Sequence, residues 1–544
     1  MGTAPDNNNK ILLQNGLLID GTGTPGRKAN VLMEQGRLRV MKPTEKVADA
    51  TTIDCTGKVV APGFIDVHSH MDYFAIEHAP EHFDPFIAQG ITTMVVGNCG
   101  FSPFGFKCNT PHQHLIENSL FKEGHGEITW HSFQGYQQRI QGHGCGPNLV
   151  SLVGHGVCRT SLNGFSAEPL SSGQSYEMLV MLDEALSQGA AGISLGLQYK
   201  PGVFASKEEL RAVAQLVKKH DKVLTVHAKA YSSLSGTYPM NPFGKAHNLR
   251  AIDEMLDLAR ETGVRLQFSH LIFVGEATWN TLNEAIAKFD KAIADGVDVK
   301  FDMFPYPFGA TLLNTLLPEW VMAGMPGILK KPLPMLRLRL EAWLAFRSLG
   351  LGYDCIQISD ASCPAYEKYN GLFITEIASR VGKSPFEVMV DILDQSNAEA
   401  RMIMHKYYGP QIVEKLMTHP AAMFMTDSWP EPSGVENAAT FGAFPRFLQI
   451  ARETGNVSLE TLIHRMTAQA AERFGIAERG CIRDGFVADV VVLDWQQVRD
   501  NTTHDLCNAP PSGIEHVFIN GVPARLDGKK YTSVSTGECL AMTA

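Results

Sequence analysis

The chain has no C-x-x-C pair, although ten cysteines are spread over its 544 residues. Without that spacing a zinc ribbon is excluded and a disulfide framework is disfavoured, so most thiols are expected as small buried apolar side chains in a reducing compartment. No run of like charge stands out, and 47 basic residues face 57 acidic ones for a net charge of −10. That balance argues against nucleic acid or an anionic membrane as the main partner. No stretch reaches 18 uninterrupted apolar residues, so no spanning helix is expected. The opening MGTAPDNNNK lacks a basic n-region and an apolar h-region, and Asp6 stands where a myristoylation motif needs Ser or Thr. A cytoplasmic location is the expectation. What remains, 44% hydrophobic and 19% charged residues, is the composition of a globular chain long enough for a large core plus an accessory domain.

The two ends read alike. KILLQNGLLIDG, NVLMEQGRLRVM and TTIDCTGKVVAPG are short strands separated by turn dipeptides such as Asn15-Gly16, and GCIRDGFVADVVVLD and IEHVFINGVPARLDGKKYT repeat the style near the C-terminus. Neither end could bury a core alone. We therefore expect residues 1–61 and 478–544 to form one small β-sandwich domain, with residues 62–477 inserted in it.

The middle has a rhythm. Apolar, β-branched runs recur at 63–70, 91–100, 148–156, 190–197, 223–230, 265–271, 298–306 and 421–428, with amphipathic segments such as SKEELRAVAQLVKKH between them. Eight buried strands alternating with helices predict an α/β fold of the (β/α)8 TIM-like barrel type, with a doubly wound sheet as the alternative. Residues 310–420 interrupt the alternation and are expected to contain a lid-like insertion.

In such barrels the active site lies at the C-terminal strand ends. His68 and His70 end the first run, Cys99 the second, His155 the third, His227 the fifth, His270 the sixth and Asp427 the eighth. His68 and His70 alternate along a strand and so share a face about 7 Å apart. HQH at 112–114 repeats that spacing in a polar setting and reads as loop. Imidazole, thiolate and carboxylate together suit zinc, with iron and manganese open and an oxygen-only magnesium or calcium site disfavoured. Asp427 is placed to exchange a proton with metal-activated water, which predicts attack on a carbonyl-like centre.

APGFIDVHSHMD and GCIRDGFVADVVVLD resemble the amidohydrolase superfamily. More narrowly, GITTMVVGNCGFSP, LVGHG, GISLGLQYKPG and FPRFL resemble its N-acyl-D-amino-acid deacylase (D-aminoacylase) branch, over residues 10 to 535. The resemblance implies Cys99, His227 and His270 as ligands of a tighter zinc, His68 and His70 at a second, weaker position, and Asp427 as general acid/base. It also implies one or two zinc ions and Tyr199 polarising the scissile carbonyl. The family usually has SHLK where this chain has SHLI, so Ile272 stands at the position of a carboxylate-binding lysine. NAATFGAFPR likewise lacks an arginine usual ahead of FPR, and HAKAYS lacks an acid usual after the fifth-strand histidine. Arg159 is a candidate substitute clamp, His155 a candidate substrate contact, and Lys200 or Lys229 a candidate carbamylated bridge. FDMFPYPFGATLL and Trp320 are expected to line an apolar pocket. The expected activity is zinc-dependent hydrolysis of a linear amide, on an N-acyl amino-acid-like (D-configured in the family) or larger apolar substrate. A cyclic amidase of the hydantoinase or dihydroorotase kind is the alternative, and a catalytically silent structural relative a third. The expected partner is a small-molecule amide, with no nucleic acid, no membrane, and homo-oligomerisation open.

Overall fold

The computed structural model describes residues 10–77, 79–117, 127–239, 244–504, 506–531 and 535–542. Residues 1–9, on which the leader and lipidation readings fall, lie outside the described residues.

All eight rhythmic runs contain strands: β1 (Phe64–Asp66), β2 (Ile91–Val96), β3 (Asn148–Ser151), β4 (Gly192–Gly196), β5 (Val223–His227), β6 (Arg265–Phe268), β7 (Val299–Met303) and β8 (Ala422–Phe424). β1, β2 and β3 pair in parallel in one sheet, and β4 to β8 in a second, which Val153–Gly154 joins at the β4 edge. Backbone bonds connect the two. Ala191 N donates to Ser151 O (2.8 Å) between β3 and β4, and Val67 N to Phe424 O (3.4 Å) between β1 and β8. The strands are buried almost throughout, as parallel strands covered on both faces must be. The fold is α/β.

Connecting helices carry their own start and stop signals. In Lys207–Lys219 the Ser206 hydroxyl accepts from Glu209 N, Glu208 and Glu209 occupy the first turn, and Lys218 and Lys219 the last, matching the helix dipole. Its apolar stripe, Leu210, Val213, Ala214 and Val217, is buried. Among the described residues no helix is long and apolar enough to cross a membrane.

Strands from both ends share one seven-stranded sheet: Val59–Pro62 pairs with Val490–Leu493. A four-stranded sheet of N-terminal strands packs on it through a cluster including Val31, Met33, Val60, Val490 and Phe518. The tail departs from expectation. Cys539–Leu540 leaves the terminal sheets and pairs in parallel with β3, extending the sheet of β1 to β3.

The segment expected to contain a lid-like insertion holds an antiparallel sheet, Phe308–Leu312 and Ile356–Asp360 flanking Arg401–His405. The buried Arg401 joins it to the second sheet's rim, with Nη2 2.5 Å from Asp360 Oδ2 and 2.6 Å from Glu431 Oε1. The Pro332–Leu349 helix lies between the first two of these strands.

Candidate metal centre

The C-terminal ends of the parallel strands turn sharply where their polar residues sit. Cys99, His270 and Asp427 all have left-handed backbone, with φ of 55°, 33° and 49°. Non-glycine residues enter that region at a cost, typically where the surrounding structure holds a functional side chain in place. The neighbouring chain is small for the same reason. A Cβ on Gly196 would lie 2.0 Å from Cys99 O, so the β4 end approaches Cys99 closely only because it is glycine.

These turns aim six side chains at one point. Cys99 Sγ lies 3.4 Å from His68 Nε2, 3.6 Å from His227 Nδ1 and 3.5 Å from His270 Nε2. His227 Nδ1 and His270 Nε2 are 2.9 Å apart. Asp427 Oδ1 stands 3.4 Å from His68 Nε2 and 3.5 Å from His70 Nε2. Three overlapping sets result, each with donor atoms within 4.8 Å of one another: His68, His70 and Cys99; Cys99, His227 and His270; and His68, His270 and Asp427. Nitrogen and sulfur donors gathered so closely in a buried site fit a borderline-soft divalent cation.

Other residues orient them. His227 Nε2 is 3.0 Å from Gln198 Oε1, an acceptor only, so Nε2 carries the proton and Nδ1 turns its lone pair to Cys99. Asp302 accepts from His270 N (2.6 Å) and Gln267 Nε2 (2.8 Å) and stands 3.6 Å from His68 Nδ1. Asp66 accepts from His68 N (3.2 Å), Thr426 N (3.0 Å) and Thr426 Oγ1 (2.6 Å), tying the ends of β1 and β8 together. None of Asp66, Asp302 and Gln198 was expected as a site residue from sequence. For Asp66 the signal was there, since it is an acid that ends the first apolar run two residues before His68.

The electrostatics suit the same picture. Burial drives His227 well below the ordinary imidazole range and His270 down to about 4, and pushes the Cys99 thiol up to about 11. A neutral imidazole is the ligand form, and a cation reverses the pressure on the thiol by favouring thiolate. At Asp427 burial opposes ionisation, yet the imidazoles of His68, His270 and His70 hold the carboxyl well below the usual range.

Two expected contacts are not brought here. Arg159 is fully buried, with Nε 3.2 Å from Glu209 Oε1 and its other nitrogens donating to Ser166 O and Glu168 O. His155 Nε2 lies 2.7 Å from that same Glu209 oxygen. Both are held by a helix acid rather than offered to a ligand, because a buried guanidinium demands a partner. Tyr199 is at the site, its hydroxyl 3.1 Å from His227 Nδ1. Lys229 pairs with Glu319 at 3.3 Å, and the Lys200 ammonium lies 5.4 Å from the Phe165 ring centroid.

The amidohydrolase family model matches residues 51–297. D-aminoacylase of Alcaligenes xylosoxydans xylosoxydans is 28% identical over 535 residues, covering 98% of each chain. N-acyl-D-glutamate deacylase of Bordetella bronchiseptica, solved with zinc and a phosphonate mimic of the tetrahedral intermediate, superposes with a TM-score of 0.78 at 27% identity, covering 98% of this chain and 100% of that one. Over these residues and in these relatives the chain is similar to the amidohydrolase family. A D-hydantoinase from Thermus sp. shares the fold alone, with a TM-score of 0.55 at 15% identity and 98% of each chain covered.

Three cavities meet the cluster. A small one of about 30 Å³ is walled by the cluster with Tyr199, Ile272, Thr311, Tyr407 and Trp429. Through Cys99, Phe101 and Tyr199 it adjoins one of about 410 Å³, lined by Val157, Phe165, Leu312 and Met322 among others. His114, of the HQH read as loop, belongs to no ligand set among the described residues but lines that larger cavity from the Gln113–Glu117 helix. A third, of about 110 Å³, opens at His227 and Ile272. Trp320 lines a separate space of about 670 Å³ rather than the cluster.

Proposed function

We propose that this chain is a zinc-dependent amidohydrolase that cleaves the C–N bond of a linear amide in an N-acyl amino-acid-like or larger apolar substrate. The observation that carries the reading is the convergence of Cys99, His227 and His270 with a low-held carboxylate, Asp427, 3.4–3.5 Å from His68 and His70. Cys99, His227 and His270 would hold one ion and His68 with His70 a second, weaker one. The eight parallel strands would close into a (β/α)8 barrel around them, with a terminal β-sandwich domain and a lid from the insertion. The D-aminoacylase and zinc-bound N-acyl-D-glutamate deacylase relatives support both the metal and the substrate class.

Bound zinc supplies a Lewis acid that lowers the pKa of water and polarises a carbonyl. The protein's own groups do the rest. Asp427, ionised at neutral pH, accepts the proton of the attacking water and returns it to the amide nitrogen as the C–N bond breaks. Tyr199, a phenol that burial holds protonated, can donate to the developing oxyanion beside His227. Arg159 is not part of this machinery. Around the small cavity, among the described residues, Ile272, Trp429, Tyr407 and Thr311 bring no Lys or Arg to meet a carboxylate next to the scissile bond.

The test is a panel of N-acyl-D- and L-amino acids, their amides and esters, and cyclic imides, assayed with zinc-loaded protein. Turnover of linear N-acyl substrates supports the reading. Turnover of rings alone would replace it with the cyclic-amidase one, and no turnover at full zinc loading with the silent relative.

A further inference from the structure

The Pro332–Leu349 helix leaves its large side chains in solvent. Leu333, Leu336, Leu340 and Trp343 are 78%, 66%, 63% and 57% exposed. Their spacing of three, four and three residues puts them on one helical face, and Leu344 beside them is also exposed. Of the whole helix only Leu338 and Leu349 are buried. A stripe of this kind on a soluble chain marks a contact surface.

Charge selects the occupant. The chain carries −10, yet residues 330–349 hold Lys330, Lys331, Arg337, Arg339 and Arg347 against the single acid Glu341. Lys330 and Arg339 reach Asp394 and Glu387 at 3.6 and 3.7 Å but stay 72% and 52% exposed, and Arg337 is spent on Glu341 at 2.7 Å. Lys331 and Arg347 have no acid partner among the described residues, and Arg347 sits 5.8 Å from the Trp343 ring centroid. A second copy of the helix would bring these same cations together, which disfavours self-association. An anionic bilayer matches both features, taking Leu and Trp into the acyl boundary and the basic side chains among its headgroups.

The inner face adds a link to the site. Ala345 and Phe346 wall both the 670 Å³ space and the 110 Å³ cavity that opens at His227. A molecule leaving a bilayer at this helix would enter beside the cluster.

We propose that the Leu333, Leu336, Leu340 and Trp343 face of this helix docks the protein on an anionic lipid surface. The surface contact departs from the sequence-level expectation because charge and exposure are concentrated on one helix. The proposal stands independently of the catalytic reading.

Zinc-loaded full-length protein is sedimented with phosphatidylcholine vesicles containing or lacking phosphatidylglycerol. Partition into the anionic vesicles is expected, weakened by salt and reduced about tenfold or more by Leu340→Glu with Trp343→Glu. Tyr176→Glu, at an aromatic residue 73% exposed on the Ser172–Gln188 helix, should change nothing. Circular dichroism and soluble-substrate activity check that the double variant is folded. No partition into either vesicle overturns the proposal, as does partition indifferent to Leu340 and Trp343. A concentration-dependent dimer that the double variant abolishes, without vesicle binding, overturns it in favour of a second copy.

Discussion

His227 Nδ1 faces His270 Nε2 across 2.9 Å, with the Cys99 thiol 3.6 and 3.5 Å away. Only one of the two nitrogens can carry a proton between them. The Gln198 carbonyl oxygen, 3.0 Å from His227 Nε2, assigns that ring's proton to the far side and leaves Nδ1 free to ligate. Gln198→Ala should therefore weaken zinc binding about 10- to 100-fold with the three ligands intact, measured by chelator competition. Unchanged affinity would remove Gln198 from the site.

Asp427 is predicted to act on protons rather than to hold the tighter ion. Asp427→Asn should retain that zinc and the fold while kcat falls by about 10²- to 10⁴-fold. Metal content by elemental analysis and kcat on the same preparation separate the two roles.

Glu209 is predicted to matter for stability and not for substrate. It is the shared partner of the buried Arg159 and His155. Glu209→Gln leaves a guanidinium buried with no ionic partner and should cost about 3 kcal/mol in urea unfolding. KM should move little. A large rise in KM with normal stability would return Arg159 to the role of substrate clamp.

That pair also shows where sequence reading stops. The eight strands were legible because buried parallel strands are apolar throughout, and the strand-end histidines, Cys99 and Asp427 stood out as polar residues ending apolar runs. Glu209 did not. It lies in a helix with ordinary amphipathic spacing, and only the packing of that helix on His155–Asn163 makes it the buried partner of Arg159. The Phe308–Leu312 strand escaped notice because its partner, Arg401–His405, lies on the far side of four helices. Long-range antiparallel pairing leaves no local period beyond alternation, which five residues barely display.

His405 gives a pH dependence of stability. It is sandwiched between Phe308 and Phe373, with ring centroids at 5.3 and 5.2 Å, and burial, with the nearby His504, lowers it to about 4. In the unfolded chain it titrates near 6.5, so between about 4 and 6.5 the unfolded state binds the extra proton and stability rises with pH. Its contribution is complete above 6.5 and lost as pH falls through 4. Urea midpoints at pH 7 and pH 5 should differ more for the parent protein than for His405→Gln, and equal differences would assign the acid loss elsewhere.

The most direct test of the account is a zinc titration of chelator-stripped protein, followed by turnover of an N-acyl amino acid. Activity should be absent in the stripped protein and return with the first equivalent bound, and Cys99→Ala should bind that equivalent far more weakly. Full turnover by stripped protein, or undiminished zinc affinity in Cys99→Ala, would contradict a catalytic zinc held by Cys99, His227 and His270.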